Sequence, residues 1–163
     1  MTLAIAHVEQ EVDEADVPGR VIVVLDAIRE ARPPFDPSAV VRDFAATLRA
    51  YGCAMVTGDR YGGQWVAEVF ARHGIAYWPS AQARSELYGN FLPLVMTATV
   101  ELLDHPRCLA QLAGLERRPS ASGRDAIDHG RTGHDDVINS VAGACVAAQR
   151  QAVAADVQLV VLG

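Results

Sequence analysis

The sequence predicts an α/β fold in which helices flank a mixed β-sheet. Residues 2–8 and 21–25 are apolar stretches separated by an acidic segment with a Pro-Gly pair, the pattern of a hairpin. After them, helical patterns alternate with short apolar strands, an order typical of α/β proteins. With 163 residues, 50% of them hydrophobic, the chain is expected to form one domain with a full core.

The later elements are predicted from local spacing. Apolar side chains at helical intervals, with glycine or a small residue at the ends, predict helices at residues 38–51, 64–72, 80–95, 106–117 and 135–150. Pro93 is a candidate break within the third of these. Apolar runs predict strands at 53–57 and 75–78, and a segment rich in Gly, Ser, Arg and His predicts a loop at 118–133. Residues 157–162 have strand composition.

Composition excludes several function classes. The net charge of −6 argues against a standalone nucleic-acid binder but not against an enzyme whose acidic site handles DNA. All 14 basic residues are arginine, which excludes phosphate-loop, Schiff-base and kinase lysine chemistry. Cys53, Cys108 and Cys145 are far apart, which favours reduced thiols in the cytoplasm over a disulfide framework or a zinc site. We expect no signal peptide and no membrane span.

Two acidic segments carry the functional signal. In the first, residues 58–63 (GDRYGG), Asp59 follows an apolar strand and precedes a glycine turn, where open α/β sheets bind ligands. In the second, Asp135 and Asp136 open a helix, point about 100° apart, and have Asn139 on the same side. Carboxylates from two parts of the chain are suitable ligands for magnesium. Each segment also has a structural interpretation, as a turn or helix cap stabilised by the helix dipole.

Other polar residues are weaker candidates. Asp26 ends the second predicted strand, and we expect it to pair with a nearby arginine such as Arg29 or Arg32. Arginines suited to gripping phosphates precede the acidic helix, and His134 could orient a water or contact a phosphate; the alternative is a solvated loop. The weak DNA-binding set is therefore Arg117, Arg118, Arg124 and His134.

An ordered series of segments covers residues 2 to about 148. They are TLAIAH (2–7), VLDAIR (24–29), RPPF (32–35), GDRYGG (58–63), HGIAY (73–77), ELLDHP (101–106), QLAGLERR (111–118), GRDAIDH (123–129) and GHDD (133–136). Taken together, the series resembles the C-terminal nuclease domain of the large terminase subunit of tailed bacteriophages and prophages.

The resemblance implies a ribonuclease H-like mixed sheet flanked by helices, and cutting of concatemeric viral DNA at the start and end of packaging. It also implies two Mg²⁺ or Mn²⁺ ions, about 3.5–4 Å apart, in a phosphodiester-hydrolysing site. By position, Asp59 matches the second acidic motif, and Asp136, with Asp135 beside it, matches the third. The implied catalytic and metal residues are therefore Asp59, Asp135 and Asp136. The implied partners are double-stranded DNA, the terminase ATPase domain, the small terminase subunit and the portal, in the host bacterial cytoplasm.

The chain departs from the family pattern at its start. The central strand that carries the first acidic residue in the family would lie before Thr2. We therefore expect residues 1–150 to be an N-terminally truncated nuclease domain with weak or no cleavage. We expect residues 151–163 to be a tail, in which residues 158–162 could form an extra strand in the vacant position. Two alternatives stay open: an inactive prophage remnant or packaging interaction module, and a nucleotide-binding α/β domain that uses residues 58–63 as a phosphate loop.

Overall fold

The computed structural model describes residues 1–12, 18–58, 63–119, 125–130 and 135–161. The strands are β1 (Thr2–Val12), β2 (Pro18–Glu30), β3 (Met55–Gly58), β4 (Ala76–Pro79), β5 (Val100–Glu101), β6 (Leu115–Pro119) and β7 (Asp125–His129). The helices are α1 (Pro37–Ala50), α2 (Gly63–Arg72), α3 (Arg84–Met96), α4 (Pro106–Ala113) and α5 (Asp136–Val161). Two compact units form, one from Met1–Leu3 with Arg29–Ala83 and the other from Ala4–Ile28 with Arg84–Gly163.

The first unit packs α1 and α2 with the small parallel sheet of β3 and β4. These strands pair from Met55 with Ala76 to Gly58 with Pro79. Helix α1 begins where Asp36 accepts a hydrogen bond from the Ser38 amide at 2.9 Å, with proline at its first position. Its buried side chains follow the predicted helical spacing and are Val40, Val41, Phe44, Ala45 and Leu48.

The second unit is built around α5. Strand β2 lies between β1 and β5 and pairs in parallel with β5, Val23 opposite Val100. Apolar residues of β2, α3, α4 and α5 form one buried cluster, which includes Val23, Leu25, Tyr88, Phe91, Leu94, Cys108, Ile138, Val141 and Cys145. The many small residues of α5 let neighbouring elements approach it closely. Among the described helices, none is long and apolar enough to cross a bilayer.

The predicted pairing of the first two strands agrees with their hydrogen bonds. Met1 and Ala31, which flank β1 and β2, exchange both backbone hydrogen bonds at 2.9 Å. Such a reciprocal pair is the antiparallel pattern expected of a hairpin. Both strands are longer than predicted, and β2 continues through Asp26 to Glu30.

Three predictions about secondary structure were wrong. The helix predicted at 106–117 ends at Ala113, and β6 and β7 form an antiparallel hairpin where a loop was expected. Neighbouring arginines in β6 hide the strand alternation, and Leu115 and Ile127 are the hairpin residues that pack against the core where side-chain burial is described. The tail is helical through Val161 rather than an extra strand. Residues 144–161 contain no proline or glycine, so each added residue gains a helical hydrogen bond without needing a partner strand.

Two neighbouring residues of α3 differ in burial, and replacing each of them tests which face of this helix packs against the core. Phe91 is 1% exposed and Leu92 is 43% exposed. We expect Phe91→Ala to lower the free energy of unfolding by about 3–5 kcal/mol, because removal of the ring leaves a cavity in the core. Leu92→Ala should change it by about 0.5 kcal/mol or less. Urea denaturation of both variants measures the difference, and equal losses would contradict this packing of α3.

Candidate metal centre

The described chain contains part of the predicted site. Asp59, Arg124 and His134 lie outside the described residues. Asp135 and Asp136 lie together at the start of α5, in the second unit. The described residues include no group of three or more His, Cys, Asp or Glu side chains that could hold a metal ion. The geometry of the site can therefore be built from its α5 side.

Asp135 is a buried, fully engaged carboxylate. It is 6% exposed and is the one charged residue classed as buried in the described part of the chain. Tyr88 donates its hydroxyl hydrogen to one carboxylate oxygen at 2.9 Å, and Arg84 lies 3.1 and 3.3 Å from the two oxygens. Burial, and then the hydrogen bond to Asp135, raise the pKa of Tyr88, so its hydroxyl stays a neutral donor. These two α3 side chains compensate the cost of burying the carboxylate.

The first turn of α5 is capped by a different helix. The backbone carbonyl of Asp135 accepts the Asn139 amide at 2.8 Å, so Asp135 occupies the position before the helix. A side chain there usually accepts the next free amides, but that of Asp135 is bound to α3. Instead, the Gln111 side-chain oxygen of α4 accepts from the amides of Val137 and Ile138, both at 3.0 Å.

Asp136 and Asn139 provide oxygen atoms that other described residues do not use. The Asp136 carboxylate is exposed and makes no hydrogen bond or ion pair within the described residues. Asn139 lies one turn further on, and its buried side-chain oxygen has no hydrogen-bond partner in the described part of the chain. Carboxylate and amide oxygens are ligands of hard divalent cations. The residues on this turn therefore fit one side of a magnesium or manganese site.

The strand that leads into Asp59 ends at a close contact. Ser80 donates its amide hydrogen to the Gly58 carbonyl at 2.8 Å, which fixes the end of β3. The Tyr77 ring lies over Gly58, and a methyl group there would come within 2.4 Å of the Tyr77 hydroxyl oxygen. Tyr77 also stacks on Phe70, with ring centroids 5.9 Å apart. The sequence indicated a turn glycine here, whereas the structure requires glycine because an aromatic ring covers it.

The two described arginines of the DNA-binding set lie on β6. Arg117 pairs across the hairpin with Ile127 and Arg118 with Ala126. Since adjacent strand residues point to opposite faces, these side chains leave opposite sides of the hairpin. Arg118 also forms an ion pair with Glu116 at 2.8 Å. Contact between these arginines and DNA stays a prediction.

Asp26 does not pair with an arginine as predicted. It lies within β2 and receives His7 of β1, whose Nδ1 is 2.8 and 2.9 Å from the carboxylate oxygens. Arg29 is three residues away along the strand and so points to the other face, and Arg32 pairs with Glu30. Glu9 approaches the other ring nitrogen of His7 at 3.1 Å. The available signal was a histidine in one strand of a predicted hairpin and a carboxylate in the other.

Replacing Gly58 should crowd Tyr77. We expect Gly58→Ala to lower the free energy of unfolding by about 1–3 kcal/mol, because the new methyl group displaces a stacked ring. Gly89 of α3 is the matched control, since a methyl group there meets nothing within 4 Å. Gly89→Ala should stabilise the protein by about 0.5–1 kcal/mol, because glycine is unfavourable inside a helix. Chemical denaturation distinguishes the two signs, and a neutral Gly58→Ala would rule out the contact.

Replacing Asp26 should lower the pKa of His7. The hydrogen bond to Asp26, followed by that to Glu9, raises the pKa of His7 above its ordinary value. A raised histidine pKa adds stability below about pH 6.5, and that stability disappears as the pH rises through the folded pKa. Asp26→Asn should move the His7 pKa back toward its ordinary value and reduce this pH dependence. NMR titration of the ring measures it, with exposed Asp43→Asn as control; an unchanged pKa argues against the pair.

Comparison with known proteins gives matches at the level of structure. No protein-family profile matches the chain, and a search of curated proteins finds no match. The large terminase nuclease from thermophilic phage G20c with bound cobalt superposes with a TM-score of 0.64 at 22% identity, covering 88% of this chain and 81% of that one. The same nuclease with bound magnesium gives a TM-score of 0.64 at 21% identity, with the same coverage.

A longer protein gives a similar match. The large terminase of bacteriophage HK97 has a TM-score of 0.61 at 12% identity, and the match covers 90% of this chain but 40% of that one. The resemblance predicted from the sequence is therefore confirmed in the fold: this chain has the ribonuclease H-like α/β fold of phage large terminase nucleases.

Proposed function

We propose that this chain is the metal-dependent endonuclease part of a phage or prophage DNA-packaging terminase, cutting concatemeric double-stranded DNA. The observation that carries the proposal is the fold shared over 88% of the chain with a terminase nuclease that was crystallised with magnesium. The match covers 40% of the HK97 large terminase chain, which supports the proposal that this nuclease acts together with other parts of a terminase. We propose the ATPase domain, the small subunit and the portal as partners, in the host cytoplasm.

Asp136 is the proposed metal ligand on α5. Its exposed carboxylate lies in the first turn of a helix, where the helix dipole stabilises a negative charge. Asn139, one turn away, has a buried side-chain oxygen without a hydrogen-bond partner among the described residues, and we propose it as a supporting group at this turn. Asp135 was predicted as a second ligand here; because Arg84 and Tyr88 already bind its oxygens, we propose that it chiefly supports the turn. Asp59 is proposed as a further metal ligand, and this assignment rests on the sequence.

The chemistry of the site follows from these groups. Bound Mg²⁺ or Mn²⁺ supplies charge stabilisation to phosphate and lowers the pKa of water. Asp136 and Asp59 would hold the cations with their carboxylate oxygens. Arg117, Arg118, Arg124 and His134 are proposed to contact the DNA backbone, with arginine forks matching phosphate geometry. Asp135, with its partners Arg84 and Tyr88, and Gln111 hold the helix turn that carries Asp136.

Metal titration tests the proposal directly. We expect isothermal calorimetry with Mn²⁺ to give saturable binding that weakens about tenfold or more in Asp136→Asn, because a charged ligand becomes neutral. Asp59→Asn should weaken it as well. Exposed Asp104→Asn, which keeps the net charge change the same, should bind as the unmodified chain does. Where plasmid DNA is cut in the presence of Mn²⁺, the first two variants should lose that cleavage and the third should retain it.

The outcomes separate the alternatives. Absence of saturable Mn²⁺ binding would reject the nuclease proposal and favour an inactive packaging module. Binding that survives Asp136→Asn would reject the assigned ligand. Stabilisation by a nucleotide without any metal would favour the nucleotide-binding alternative.

A further inference from the structure

The first turn of α5 is held by three side chains from two other helices. Gln111 of α4 accepts the amides of Val137 and Ile138, each at 3.0 Å. Tyr88 and Arg84 of α3 bind the Asp135 carboxylate, at 2.9 and 3.1 Å. The bonds flank Asp136 on both sides along the chain, and the orientation of its backbone is therefore set by α3 and α4.

Gln111 itself sits on a fixed support. Helix α4 begins at a cap in which His105 accepts the Cys108 amide at 3.2 Å. Cys108 is completely buried in the core cluster that also contains α5 residues. Helices α4 and α5 pack against each other along this side. Any movement of α4 that displaced the Gln111 side chain would therefore disturb the core. The core packing thus holds the hydrogen bonds between Gln111 and α5 in place.

The chemical identity of Gln111 is as informative as its position. A carboxylate in its place could accept the same two amides, as caps commonly do. It would also place a second negative charge at the helix N-terminus, where the positive end of the dipole stabilises anions. The neutral amide of Gln111 accepts hydrogen bonds from the Val137 and Ile138 amides. The positive end of the helix dipole is then left to stabilise the carboxylate of Asp136. The cap thus fixes the turn without competing for the electrostatic field that acts on the exposed carboxylate.

We infer that Gln111 is a positioning residue for cation binding by Asp136. It contacts neither metal nor DNA, and it acts by holding the Val137 and Ile138 amides so that the preceding carboxylate is presented in one orientation. This inference rests on the proposed function, because it assigns how the metal ligand of that function is oriented. Groups that orient a ligand in this way typically change metal affinity when they are removed.

The test compares two substitutions of Gln111 in the full chain. Gln111→Met keeps the length of the side chain and removes the acceptor, so we expect Mn²⁺ to bind about tenfold more weakly by calorimetry at a temperature where the variant is folded. Amide hydrogen exchange of Val137 and Ile138 should accelerate. Gln111→Glu keeps an acceptor for both amides and should restore most of the affinity. The matched control is Gln151→Met on the exposed part of α5, which should leave affinity and exchange unchanged.

The results distinguish this inference from the proposed function. Loss of Mn²⁺ binding in Asp136→Asn together with unchanged binding in Gln111→Met overturns the positioning role and leaves the nuclease proposal standing. Unchanged affinity in Gln111→Met despite faster exchange also overturns it, because the cap is then structural. If Gln111→Met does not fold, Gln111→Glu decides: binding as weak as that of Asp136→Asn contradicts the inference, and retained binding supports it. An unmodified chain that binds no Mn²⁺ rejects the function and the inference together.

Discussion

The buried carboxylate of Asp135 is the constraint around which the candidate site is organised. A carboxyl group at 6% exposure needs polar partners, and Tyr88 and Arg84 supply them from α3. Because the Asp135 side chain is committed to α3, it cannot cap its own helix. The free amides of α5 are then satisfied by Gln111 of α4. One buried charge thus determines which helices meet at this turn and leaves the adjacent Asp136 facing solvent.

Much of the fold could be predicted because its signals are local. The amphipathic spacing of α1 and the apolar runs of β3 and β4 specify those elements through contacts along a few residues. The pairing of β6 with β7 was missed because these strands are held by cross-strand pairing and by apolar contacts of Leu115 and Ile127, while their sequences are largely charged. The end of α5 was misassigned because β-branched residues were given more weight than an uninterrupted helix.

The start of the helix that carries the candidate site was predictable, but the contacts of its side chains were not. The sequence predicted a helix beginning at these adjacent aspartates, and the structure starts α5 at Asp136, with Asp135 buried and Asp136 exposed. Their roles as metal ligands stay a prediction. The contacts of this turn were not predictable, since Tyr88 and Arg84 are separated from Asp135 by 47 and 51 residues, and Gln111 is separated from Val137 by 26. Long-range pairing of this kind leaves no periodic signal in a single sequence.

The turn is not arranged for greatest stability, and this favours a functional interpretation. An asparagine oxygen buried without a partner in the described residues costs free energy that a small apolar side chain would not. The exposed Asp136 contributes only the modest helix-dipole term, typically about 0.3–1 kcal/mol. A turn shaped by stability alone would use the aspartate as its own cap and place an apolar residue at position 139. Local departures from the most stable arrangement are expected at functional sites.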